Sequence, residues 1–366
     1  MILFKVDPLT RRRFKKFRKI GRGWYSLLII GSAFLISLGA ELFIGNRPLI
    51  VGYKGDWSFP ALSGRYYSSQ TFGGTTDLET DFRALKQSES FKAAGGFMIM
   101  PLHPYSPIES IRIPGDPPPS RPSWGHPMGT DDRGRDVLAR VVYGFRISVS
   151  FALLVTFGAY LVGVSVGAFQ GFFGGTVDLL GQRFTEIWSA LPFLYVVTLV
   201  ASVLTPTFPL LVAILVIFSW IAIAQYTRGE VLKERNKDYV TAARALGSSW
   251  HRTLFTQVLG NALTPAITLF PLSLVGDIFA LTALDFLGYG LPAPTPSWGE
   301  LFGQGRSNIT SWWLITFPFL ALATTLLLLT FVGEGIREAW DPRDTHVRKD
   351  ETADSWVTRL WRRIKS

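Results

Sequence analysis

The stretch "DYVTAARALGSSWHRTLF", Asp238 to Phe255, lies between two long apolar runs. Tyr239, Ala242, Ala243 and Leu246 recur at the spacing that puts side chains on one face of a helix. Trp250, Leu254 and Val258 form a second stripe. Gly247 between them removes a side chain where the two helices are expected to turn against each other. The first stripe is small and shallow, and its alanines permit the close approach of a helix lying in a partner's groove. An ordinary loop helix resting on the membrane surface is the other reading of the same pattern.

The flanking runs settle the class. The chain has 366 residues, 48% of them hydrophobic, and a positive mean hydropathy. About 20 apolar residues cross a hydrocarbon core of ~30 Å, and six runs qualify. They are Trp24–Ile44, Arg146–Phe169, Glu186–Leu204, Pro209–Ala224, Ala262–Leu284 and Trp312–Gly335. Lipid demands that backbone groups pair internally, and these runs are too long for barrel strands. The expected fold class is therefore an all-α membrane protein with six transmembrane helices. The first run is too long for a secretion signal, and "FIGNRP" after it offers no small-x-small cleavage site, so it is expected to stay as a span.

Lysine and arginine set the orientation. Residues 1–23 form a basic tail, with Lys5, Arg11, Arg12, Arg13, Lys15, Lys16, Arg18, Lys19 and Arg22 against Asp7 alone. The Asp238 segment and the tail from 337 to 366 are also basic, whereas the segment between the first two spans is close to balanced. Both termini and the loop 226–261 are thus expected in the cytoplasm, and residues 45–145 outside. The net charge of +10 sits where this topology needs it, which argues against a nucleic-acid partner and for a modest attraction to anionic lipid. With no cysteine, disulfides, thiol chemistry and cysteine metal sites are excluded.

The outer segment is rich in Gly, Pro and aromatics, as in "RIPGDPPPSRPSW", and shows little sustained period. It is expected to be an irregular cap with one or two short strands, not an independent domain. It ends in "HPMGTDDRGRDVLARVVYGFRIS", where Val137, Leu138, Val141, Val142 and Phe145 recur at helical spacing. That predicts an interfacial helix feeding the second span, with Asp136 near its N-terminus. The cluster Asp131, Asp132, Arg133, Arg135 and Asp136 reads as a structural clasp of ion pairs, because the arginines compensate carboxylates that a cation would need. The four histidines are scattered without helical pairing, so no metal site is expected. Asp277 falls in the fifth span, where a carboxylate costs roughly 2.5–3.5 kcal/mol on insertion scales and is a functional candidate by default. It lacks the partner aspartate and motif context of an intramembrane protease; a lining of a translocation path or a place near the outer interface fits it better. No G-x-x-x-x-G-K-[ST] occurs, so the chain has no P-loop and no catalytic residues are expected.

"DYVTAARALGSS…VLGNALTP" resembles the EAA loop of binding-protein-dependent ABC importer permeases, which forms the coupling helices that sit in a cleft of the ATPase subunit. The resemblance puts Asp238 at the acidic position, Ala242 and Ala243 at the small pair and Gly247 at the glycine, with Tyr239, Arg244 and Leu246 in the same coupling segment. The chain departs from the pattern in carrying Gln257, Leu259 and Gly260 where a basic residue and a Leu-Pro pair commonly close it, so a looser turn is expected there. "HPMGTDDRGRDVLARVVYGFRIS", "FLGYGLPAPTPSWGEL" and "GEGIREAWDPR" are similar to signatures of the second permease of dipeptide and oligopeptide importers. On that resemblance Gly129, Thr130, Asp131, Gly134, Arg135 and Asp136 form a periplasmic signature. "YKGDWSFPAL", "TFGG" and "QGFFGGTVDLLGQRFTEIWSALP" are similar to the microcin C and oligopeptide (Yej-type) branch.

The resemblance implies a type I importer permease with a five-helix core at 146–336, in the bacterial inner membrane. Its implied partners are a second permease, two ATPase subunits or one fused tandem ATPase holding ATP and Mg, a periplasmic solute-binding protein, membrane lipid and a peptide-like substrate. An ion-coupled secondary transporter and a membrane scaffold with a partner-binding cap are the rival classes.

Overall fold

Helices form where apolar runs force the backbone to pair internally, and caps and breaks fix their ends. The computed structural model describes residues 8–74 and 77–340, so the tail beyond Trp340 lies outside the described residues. In chain order the helices are α1 (Pro8–Lys19), α2 (Gly21–Leu38), α3 (Val137–Phe173), α4 (Gly175–Ser189) and α5 (Phe193–Val203). They continue as α6 (Phe208–Glu234), α7 (Asp238–Ala245), α8 (Trp250–Leu287), α9 (Trp298–Ser307) and α10 (Trp313–Trp340). Among the described residues, five of these (α2, α3, α6, α8 and α10) are long and apolar enough to cross a membrane, and the count is six where α4 and α5, bent by 65° at the break between them, are taken as one span.

Several expected boundaries move. The basic tail contains α1, whose Phe17 is buried against Trp24 and the glycines Gly23 and Gly335. The expected interfacial helix and the second span are one helix of 37 residues, about 55 Å long at 1.5 Å per residue, so it projects well beyond the hydrocarbon. Asp136 starts it by accepting the Ala139 N–H at 2.8 Å. The third expected span, Glu186–Leu204, is no single helix. Pro192 lacks an N–H and disfavours helical backbone before it, and the chain bends there.

The tightest packing joins α3 to α6. Gly163, Gly167 and Gly171 recur every fourth residue along α3 and face the backbone of Trp220, Ala224 and Arg228. A Cβ at Gly167 would stand 2.2 Å from the Ala224 carbonyl oxygen, so only glycine admits this approach. α8 runs through the middle of the bundle. Its Leu281 and Leu284 pack with Phe151, Val155, Leu211 and Leu215, and its Leu274 and Ile278 with Val149, Ala152 and Leu322.

The insert between α2 and α3 is more ordered than its composition suggests. Strands β1 (Ile50–Tyr53), β2 (Asp56–Ser58) and β3 (Phe97–Ile99) make an antiparallel sheet in the order β2-β1-β3, with Val51 opposite Met98. Val51, Met98, Phe72, Phe82 and Phe91 close a small core of their own. These strands are too short, and the aromatics too scattered, for a period to reveal them in the sequence. The rest of the insert is turns and short helical segments. It is tied to the bundle by Tyr143, whose hydroxyl donates to the Ile44 carbonyl at 2.9 Å.

Candidate functional site

α7 is held by one face and bare on the other. Val240 is 0% exposed and packs with Ala168 and Phe172 of α3, Val231 of α6, and Leu254, Val258 and Ala262 of α8. Glu234, at the end of α6, accepts from the Lys237 ammonium at 2.6 Å and the Tyr239 hydroxyl at 2.8 Å. Asn261 donates to the same Tyr239 hydroxyl at 3.0 Å. Arg244 lies over the Phe172 ring, 4.9 Å from its centroid. Arg235 donates to the carbonyls of Gly171 and Phe172, which fastens the segment to the end of α3.

The opposite face carries only part of the segment singled out in the sequence, because Tyr239 and Arg244 are taken up in the anchoring contacts and the expected stripe is split. Asp238 and Ala242 are exposed, Ala243 is half-buried, and Leu246 is 89% exposed with no apolar cover from its own chain. Gly247 has φ 82°, and nothing lies within 4 Å of where its Cβ would be. Its N–H donates to the Arg244 carbonyl and that of Ser248 to the Ala243 carbonyl, the paired bonds of a left-handed helix end. The glycine therefore serves backbone conformation within the chain. The expected close approach of two helices at this point is absent.

The second stripe faces inward at two of its three positions, with Trp250 38% exposed. Leu254 and Val258 are 0% exposed, so they are core of this chain and offer nothing to a partner. The expected loose turn after the motif does not exist. Trp250 to Leu287 is continuous, with a π-helical stretch at Thr253–Val258.

At the far end of α3 lies the clasp. Asp131 accepts from Arg135 Nε at 2.6 Å and from the backbone N–H groups of Arg133 and Arg135. Arg135 also donates to Glu300 of α9 at 2.9 Å, and the fully buried Arg140 donates to the other oxygen of Glu300. Asp136 takes His126 Nδ1 at 2.7 Å, and His103 Nε2 lies 2.9 Å away. Burial would raise the Asp136 carboxyl, but the bonds from His103, His126 and the Ala139 N–H outweigh it and hold it below the usual carboxylate range. Thr130 accepts from the Ser120 N–H at 2.8 Å through its hydroxyl, and its carbonyl takes the Trp313 indole at 3.0 Å. Gly129 and Gly134 turn the chain at φ 74° and 75°.

Asp277 is buried in α8 and accepts from the Thr156 hydroxyl of α3 at 2.6 Å. Its carboxylate faces the interior of its own bundle.

Residues 163–345, half of the chain, match the family described as binding-protein-dependent transport system inner membrane component. The chain belongs to that family. It is similar to the inner membrane ABC transporter permease protein YejE of Escherichia coli, 41% identical over 340 residues that cover 92% of this chain and 98% of the relative. It is also similar to the peptidoglycan transport system permease protein YejE of Agrobacterium fabrum, 39% identical over 93% of this chain and 94% of the relative. The dipeptide transport system permease protein DppC of Haemophilus influenzae is 33% identical over 66% of this chain and 83% of its own length.

The chain is thus the inner-membrane permease subunit of an ABC importer, which removes the secondary-transporter and scaffold readings. Within the permease the signature residues come together as one network, but its centre includes four side chains that spacing did not select. Glu300 and Arg140 stand 160 residues apart in sequence, and His103 and His126 were set aside as scattered although both converge on Asp136. Spacing within a helix carries no trace of such contacts.

Proposed function

We propose that this permease is one of two related membrane subunits of an importer for peptides or peptide-like compounds, and that its ATPase docks on α7. One observation carries the docking: a short helix anchored through Val240, Glu234 and Arg244 presents Ala242 and Leu246 with nothing of its own chain over them. A large exposed leucine at the edge of a small-residue face is what a helix-in-groove contact uses. ATP and Mg are then bound by two ATPase subunits or a fused tandem ATPase. Closure of that dimer reaches the bundle through α7 and the helices α3, α6 and α8 that grip it.

Named relatives in peptidoglycan and dipeptide transport support the substrate class, which spans oligopeptides, microcin C-like peptide–nucleotides and muropeptides. The Lys and Arg distribution supports an orientation with α7 and both termini cytoplasmic, and with the insert and the clasp periplasmic, where a solute-binding protein docks. The path runs between the two permeases, and Asp277 is proposed to act on it from behind α8.

Leu246→Asp tests the docking. The Leu246 side chain is 89% exposed, so insertion and pairing with the second permease should persist. Losing one anchor costs ~2 kcal/mol or more, roughly thirtyfold in affinity. The ATPase should dissociate on purification, or remain bound with ATP hydrolysis uncoupled from uptake. Ala243→Trp, which overfills the same face, should behave alike. Full ATPase retention with normal substrate uptake in both variants would sink the assignment.

A further inference from the structure

Seven of the 12 residues of α1 are lysine or arginine, and none is acidic. Arg11, Arg12, Lys15 and Lys19 are exposed and make no ion pair or hydrogen bond among the described residues. Arg11, Lys15 and Lys19 follow one another at every fourth position, so like charges stand along one face and repel. The first turn holds no acid, which leaves the positive end of the helix dipole uncompensated beside Arg11 and Arg12. The carboxylates at the end of α10 do not answer this charge, since Glu334 and Glu338 lie 3.7 and 3.8 Å from Arg22.

The other side of α1 is fastened to the bundle at the edge of the hydrocarbon. Phe17 is 2% exposed and packs where Gly23 of α2 meets Gly335 of α10. Trp24, at the start of α2, meets Phe14 and Phe17 edge-on at 5.9 and 6.1 Å, and the Arg18 guanidinium lies 5.6 Å from its ring centroid. A tryptophan at the first turn of a crossing helix has the place of an interfacial aromatic. Arg13 donates to the Thr264 hydroxyl of α8 at 3.4 Å, close to where the apolar run from Ala262 begins. These contacts hold α1 level with the membrane boundary, where phospholipid headgroups lie. Hydrocarbon would not admit four bare cations, and a loose basic tail would have no fixed face.

We infer that the Arg11–Arg12–Lys15–Lys19 face of α1 is a docking surface for the headgroups of anionic phospholipid. Headgroup phosphates accept from guanidinium and ammonium donors and relieve the repulsion along the face. A zwitterionic lipid carries a cation of its own beside each phosphate, so it answers the charge less well. Phe14, 51% exposed at the border of the cationic face, offers apolar surface to the acyl chains below the headgroups. Because α1 also grips α2, α8 and α10, the lipid is held at a fixed place on the permease, which goes beyond the diffuse attraction that net charge predicts.

The complete importer, with its second permease, ATPase and binding protein, is purified in detergent for the test. It is titrated with dioctanoyl phosphatidylglycerol or dioctanoyl phosphatidylcholine, and bound lipid is counted by native mass spectrometry. The quadruple variant Arg11→Gln, Arg12→Gln, Lys15→Gln, Lys19→Gln should bind phosphatidylglycerol at least about tenfold more weakly than wild type, and phosphatidylcholine equally. Lys15→Gln with Lys19→Gln leaves the other cations of the tail to orient the first span. This double variant should fall between, and it carries the test if the quadruple variant assembles poorly. Equal phosphatidylglycerol affinity in wild type and variants overturns the inference, as does equal affinity of the wild type for the two lipids. Displacement of phosphatidylglycerol by inorganic phosphate, but not by chloride at the same ionic strength, would make the face a site for the free anion instead. Release of the ATPase from the variants, with phosphatidylglycerol binding unchanged, would make it a protein contact and overturn the inference as well.

Discussion

Gly247 shows how one residue type answers to different physical demands. In the sequence it reads as a space for a neighbouring helix, yet its surroundings are empty and its φ of 82° is the constraint. A side chain there costs roughly 1–2 kcal/mol for left-handed backbone, and asparagine tolerates that region better than branched residues. Gly247→Asn should therefore keep the ATPase on purification, while Gly247→Val should lose it by fraying the end of α7. Loss in both variants would place the glycine in contact with the ATPase itself. The Asp131–Arg135 pair answers to burial instead. Removing one member of a buried pair typically costs 3–5 kcal/mol, so Arg135→Ala should lower the unfolding temperature of the purified permease by several degrees. Arg135→Lys, which keeps the charge but loses the fork, should fall between. An unchanged melting profile for the alanine variant would contradict a structural clasp.

Among elements, the pairing of α3 with α8 carries a buried carboxylate, Asp277. Asp277 keeps its bond to Thr156 if it becomes asparagine, because a carbonyl oxygen still accepts from the hydroxyl. We expect Asp277→Asn to assemble and hydrolyse ATP as wild type does, and Asp277→Leu to lose folded yield through the unpaired Thr156. If the carboxylate acts on the path, Asp277→Asn lowers uptake of cationic peptides more than neutral ones. Equal effects on both classes would leave Asp277 a packing residue between two helices. The Gly163–Gly167–Gly171 ladder, by contrast, was present in the sequence as a small residue at every fourth position. Its partner on α6 was not, since nothing local says which helix comes that close.

For the whole molecule the expected topology is the widest-ranging prediction. Reporter fusions after Gly74 and Ser297 should act as periplasmic, and fusions after Asn236 as cytoplasmic; Asp350, also expected inside, lies beyond the described residues. The clasp and α7 sit at opposite ends of α3, so this orientation puts the two candidate surfaces on the two sides of the membrane. A periplasmic signal at Asn236 would put α7 out of reach of any cytoplasmic ATPase and end the docking proposal.

By itself the sequence determined the helical membrane class, the approximate position of the crossings and the short helix α7 between two of them. Each follows from apolar length or helical period, which are local properties that a run of adjacent residues carries whole. Tertiary structure alone decided that Leu254 and Val258 face inward while Leu246 faces out, because a period names a face but not its neighbour. It alone brought Glu300 and two histidines to the clasp, and gave the insert a core from aromatics without a period. The break at Pro192 stands between these cases: the proline was legible, but the 65° bend beside it shows only in the fold.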